Sequence, residues 1–133
     1  MRKLLIVFSL LALLLSACGG SGGSITIGTI TTTETKIMAH MYKALIEDAT
    51  DVSVNVKPDL ATSPVVVEAM QAGDIQGSTQ YTGTSLSSFF SIENPKDPEA
   101  TLQQAKEDFA GEEFNFKWFD ALGFENTYAL AVT

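Results

Sequence analysis

Apolar and polar positions change period several times along the chain, and each change marks an expected element. Ile25 to Thr29 is β-branched and ends in a turn glycine, the pattern of a short strand. Thr31-Thr32-Thr33-Glu34 follows, offering N-cap hydroxyls and a first-turn acid. Ile37, Met38, Met41, Ala44 and Leu45 then recur at helical spacing and predict one buried face through about Asp48. Residues 52–56 alternate as a second strand. Ser63-Pro64 opens the next helix with a capping residue and a proline at the first helical position, and Gly73 supplies its stop.

A third strand is expected over 75–81 and a short helix over 84–91. Asn94-Pro95 and Asp97-Pro98 bracket a loop. An amphipathic helix follows over 98–110, with Leu102, Ala105 and Phe109 inward, and the last strands fall at 116–119 and 127–133. Strands alternating with helices imply an α/β layer with a largely parallel sheet.

The first 17 residues do not belong to that layer. Met1-Arg2-Lys3 is a basic start, and Leu4 to Leu15 is an apolar run broken only by Ser9. The run suits an export signal better than a membrane span, which needs about 20 residues. Leu15-Ser16-Ala17-Cys18 closes it, and Cys18 is the only cysteine, so it has no disulfide partner in the chain. Residues 18–24 form a Gly/Ser tether, and 25–133 carry the folded part.

With Arg2 and Lys3 in the leader, six basic residues remain against sixteen acidic ones, a net charge of −10. That balance argues against nucleic acid as a partner. A single Cys and a single His leave a metal site to carboxylates, and no spacing suggests one.

Catalysis has little to stand on: Gly-x-Ser-x-Gly and a Walker-type phosphate loop are both absent, and no cofactor is implied. His40 sits between Met38 and Met41 as a helix-surface or half-buried residue. Binding is better supported. Ligands of open α/β sheets collect beyond the carboxyl ends of the strands, and three expected turns there (28–34, 59–63 and 81–85) are rich in Thr and Ser. Plain N-capping through Thr33, Ser63 and Thr84 is the alternative use of those hydroxyls. Tyr81 and Tyr128 both fall near expected strand ends, where aromatic faces attract cations; core packing is the alternative for them.

Leu15 to Cys18 resembles the lipobox of bacterial lipoproteins, in which the cysteine carries the lipid. Three further stretches are similar to the substrate-binding lipoproteins of glycine betaine/carnitine/choline ABC importers. They are "ITIGT" with the "TET" that follows it, "AGDIQGSTQYTGTSL" and "NTYALAV", in that order over about 24–133. The resemblance implies the first lobe of a type II periplasmic-binding-protein-like clamp, a mostly parallel sheet flanked by helices, incomplete without its second lobe. It implies a quaternary-ammonium ligand, ABC transporter membrane subunits as partners, and a lipid anchor on the extracytoplasmic face of the cell membrane.

By the same resemblance Tyr81 and Tyr128 fall on cage positions for the trimethylammonium group. Thr84 falls where family members carry threonine or aspartate, and threonine goes with betaine-like or mixed ligands. Thr35 falls where the family often carries a ligand-contacting glutamine. The chain stops on an apolar segment with nothing closing it, so a larger protein is expected. An amino-acid binder would call for an arginine to meet a carboxylate, and none follows Arg2. A surface lipoprotein without a transport role would separate Tyr81 from Tyr128.

Overall fold

In a computed structural model of the chain, residues 22–92 and 97–123 are described. The export signal, Cys18, the Asn94-Pro95 turn, Tyr128 and the expected strand 127–133 lie outside the described residues. Ser24–Gly28 forms β1, Ser53–Lys57 forms β2 and Gly77–Ser78 forms β3. The helices are α1 (Thr33–Ala49), α2 (Ser63–Gln71), α3 (Thr82–Phe90) and α4 (Pro98–Phe109).

The sheet has the order β2-β1-β3, and both pairings are parallel. Ile25 lies opposite Val54 and Ile27 opposite Val56, so the β-branched residues of both strands share one face. Ala39 of α1 packs there with Ile27 and Val54, and Tyr42 and Ile46 extend the contact. Gly28 sits close under its neighbours: a Cβ there would lie 2.5 Å from Cδ1 of Ile75 and 2.8 Å from Cδ1 of Leu60, so both side-chain ends would have to move.

The buried face of α1 keeps only Met38 of the expected stripe. Thr35, Met38 and Ala39 are buried, with Tyr42 and Ile46 half-buried on the same side. Ile37, Met41 and Leu45 are 50–64% exposed, and Ala44 is exposed beside them. Both stripes have helical spacing. The second contains the bulkier apolar residues, but the sheet takes the one whose small members, Thr35 and Ala39, allow close approach.

Two expected strands differ as well. Residues 75–81 keep only two residues in β3. Gln76 extends the attachment: its N–H donates to the Thr26 carbonyl at 2.8 Å, and its Oε1 accepts from the Thr26 N–H at 2.8 Å. Residues 116–119 form no strand, since no ladder partner adjoins them among the described residues. Alternation survives there: Phe114, Phe116 and Trp118 turn inward while Asn115, Lys117 and Phe119 are exposed. The inward rings complete a second core with Leu86, Ala105 and Phe109, to which Phe89 and Phe90 also belong. Phe90 meets Phe109 edge-on at 5.0 Å between ring centroids, a favoured aromatic geometry.

Two side chains of α1 reach the outer edge of β2. Glu47 Oε1 accepts from the Val54 N–H at 2.9 Å, and Lys43 Nζ donates to the Val54 carbonyl. Lys43 also pairs with Glu47 at 2.8 Å. The Lys43 hydrogen bond, then that from Val54, holds the Glu47 carboxyl below its usual range.

Helix α2 ends in a Schellman arrangement. The Asp74 N–H donates to the Ala69 carbonyl at 2.9 Å, and Gly73 N–H to Met70 at 3.0 Å. Gly73 sits at φ +79 with open space around its missing Cβ. Gly73→Ala is therefore expected to cost about 1–2 kcal/mol through backbone strain alone, measurable by denaturant unfolding. A second expectation concerns acid. The folded-state pKa of Glu47 is depressed, so its contribution is present above the unfolded value of about 4.3 and disappears as pH falls through the folded one. Glu47→Gln should lose less thermal stability than the wild type between about pH 5 and pH 3.

Candidate functional site

Parallel pairing brings the carboxyl ends of β1, β2 and β3 to one edge of the sheet, and α1, α2 and α3 each start just beyond that edge. Three helix N-termini therefore converge, each with N–H groups that have no partner within their own helix. Their N-cap residues are Thr32, Thr62 and Tyr81, all extended, and none makes a side-chain capping hydrogen bond. Helix α4, away from this edge, is capped normally: Asp97 accepts from the N–H groups of Glu99 and Ala100. Thr33, Ser63 and Thr84, the expected caps, are instead the first, first and third residues of their helices.

Two bridges tie α1 to its neighbours at this mouth. The Tyr81 hydroxyl donates to Glu34 Oε2 at 2.5 Å, joining the start of α3 to the first turn of α1. Lys36 pairs with Asp59 at 2.6 Å, joining α1 to the turn before α2. That turn holds two non-glycine residues in the left-handed region, Asp59 at φ 62 and Ala61 at φ 56. A hydrogen bond from Leu60 N–H to the Thr29 carbonyl (2.9 Å) helps hold them there. Such residues persist only where surrounding contacts over-determine them.

Of the site residues expected from sequence, Tyr81 is half-buried at the mouth and Thr84 is exposed three residues further on, in α3. Thr35 is fully buried. Its hydroxyl lies within hydrogen-bond distance of the Ile30 and Thr32 carbonyls and of the Thr32 hydroxyl, so it organises the β1–α1 turn from inside. Tyr128 and Cys18 fall outside the described residues. His40 is exposed on α1.

Glu34 had no part in the expected site beyond being a first-turn acid. Its signal was nonetheless present, since adjacent parallel strands set the turns after β1 and β3 side by side. Its charge also decides the local balance. The three turns contain Glu34 and Asp59 as their only charged residues, and Lys36 follows in the first turn of α1. Lys36 and Asp59 neutralise each other, so one negative charge remains. Helix N-termini alone would favour an anion; Glu34 turns the mouth toward a cation.

A cavity of about 530 Å³ lies inside this edge, beside β3. Ile25, Ile27, Tyr42, Met70 and Trp118 line it, with Tyr81 also on its wall. Its mainly apolar lining joins the two cores, and we do not place the polar mouth there. Thr79 Oγ1 and Ser85 Oγ, both on residues lining it, are buried with no hydrogen-bond partner among the described residues. No cluster of three or more His, Cys, Asp or Glu suited to a metal occurs among the described residues. No described helix is long and apolar enough to cross a membrane.

Comparison with known proteins gives a consistent result. Residues 23–133 match the family model OpuAC, described as the substrate-binding domain of ABC-type glycine betaine transport systems. The carnitine transport binding protein OpuCC of Listeria monocytogenes serotype 1/2a (strain 10403S) is 39% identical over 142 aligned residues. That alignment covers 98% of this chain and 46% of the relative. The OpuCC protein of Listeria monocytogenes matches to the same extent. A crystal structure titled as a glycine betaine/carnitine/choline ABC transporter superposes with a TM-score of 0.75 at 29% identity, covering 81% of this chain and 40% of that one. The chain thus spans about half the length of the curated relatives it matches. It belongs to the family of substrate-binding domains of ABC-type glycine betaine transport systems.

Proposed function

We propose that this chain is the first lobe of the extracytoplasmic solute-binding component of an ABC importer for quaternary-ammonium compatible solutes, the class of glycine betaine, carnitine and choline. The observation that carries this reading is Tyr81, fixed by Glu34 at a mouth of uncapped helix ends whose net charge is negative. A quaternary ammonium cannot donate hydrogen bonds, so an aromatic face and a nearby carboxylate are the groups suited to it. Free N–H groups at the start of α3 suit the carboxylate or hydroxyl at the other end of such a solute. Thr84, exposed beside them, is the polar contact in this reading.

Tyr128 supplies a second ring in the proposal. Thr35 has a supporting part, because its hydroxyl is enclosed in the turn behind Glu34. The relatives' names support the solute class, and their greater length supports a second lobe that closes over the ligand. Cation–π contacts contribute about 0.5–2 kcal/mol each, with the upper end reached only on desolvation. One lobe leaves the solute wet on its outer face.

Cys18 carries the lipid in this reading, and the apolar run before it is removed on export.

Titration of the 133-residue chain with glycine betaine, carnitine and choline, followed by NMR, is expected to give saturable shifts at the Tyr81 turn. The dissociation constants should be millimolar. No shift with any of the three overturns the ligand class. For the anchor, Cys18→Ser should move the protein from the membrane fraction to the soluble extracytoplasmic one and abolish labelling by a fatty-acid probe. Unchanged labelling sinks the assignment.

A further inference from the structure

We infer that Glu34 is a positioning residue for the ligand ring: its carboxylate holds the Tyr81 side chain at the mouth and biases the site toward cations. The inference rests on the proposed function and adds a residue to it. The separation of 2.5 Å between Tyr81 Oη and Glu34 Oε2 lies in the range of a hydroxyl bonded to an ionised carboxylate, about 2.5–2.7 Å. Such a bond fixes the far end of a ring whose near end is already set by the N-cap backbone of α3. A ring held in place does not have to be ordered when the ligand arrives. A phenol that donates to an anion also has a more electron-rich face, and the carboxylate itself attracts a cation through space.

Glu34 is itself well placed to stay where it is. It lies in the first turn of α1, where the helix dipole stabilises a negative charge. Thr35, next to it, is locked into the turn by its hydroxyl. Lys36, the nearest cation in sequence, is engaged by Asp59. Among the described residues the hydrogen bond recorded for this carboxylate is the one from Tyr81.

The test uses the whole chain with Glu34→Ala, Glu34→Gln and Tyr81→Phe, and their pairwise combinations at the two positions. Choline and its neutral carbon isostere, in which a tert-butyl group replaces the trimethylammonium, are the probes. Glu34→Ala should weaken choline about three- to tenfold and the isostere less, while Glu34→Gln, which keeps an acceptor but no charge, falls between. In the Tyr81→Phe background the loss from Glu34→Ala should shrink, because the contact is already gone. Equal choline affinity in wild type and Glu34→Ala overturns the inference, as does equal loss for choline and isostere or full additivity with Tyr81→Phe.

A ligand-free reading separates this from the proposed function. The Tyr81 Cζ chemical shift should move in Glu34→Ala and return toward the wild-type value in Glu34→Gln. An unmoved shift overturns the positioning role whether or not choline binds. A moved shift with no choline binding in the wild type supports the positioning role and overturns only the ligand class.

Discussion

The parallel pairing of β1 with a strand on each side is the constraint from which the rest follows. Parallel neighbours cannot be joined by tight turns, so every connection must return to the opposite edge through a helix. Each helix then begins at the same edge, and three N-termini meet in one place. An antiparallel sheet of the same residues would scatter them. The mouth is thus a consequence of strand direction before it is a consequence of any particular side chain.

Local chemistry then gives that edge its character. Helix ends of this kind are electrostatically positive, and a chain that left them bare would collect anions. Here one acid in the first turn of α1 outweighs them, one ion pair engages Lys36, and one tyrosine is drawn across to the acid. The uncapped hydroxyl-rich turns remain as hydrogen-bonding surface. The strained Asp59–Ala61 turn fits the same pattern, since its two left-handed residues are kept by contacts to α1 and β1.

Much of this was legible in the sequence, and the failures have physical causes. Strand–helix alternation, the Gly73 stop and the Pro98 helix start are written in local propensity and could be read directly. The buried face of α1 could not. Two stripes share its period, and the choice between them depends on which one the sheet can approach closely, which is a property of packing. The strand expected at 116–119 has the right alternation but lacks a ladder neighbour among the described residues, and no local pattern announces that. Of the candidate site, the Tyr81 turn was legible because an aromatic stood among capping residues. Its tie to Glu34 spans 47 residues of sequence and becomes visible only once β1 and β3 are placed side by side.

The Lys43–Glu47 clamp on Val54 has a consequence for how the sheet can grow. A strand offered to the outer side of β2 needs the Val54 N–H and carbonyl for its ladder, and both are already taken by α1. Among the described residues the outer side of β2 is thus occupied at Val54 by its own helix, and the side of β3 is left without such a clamp.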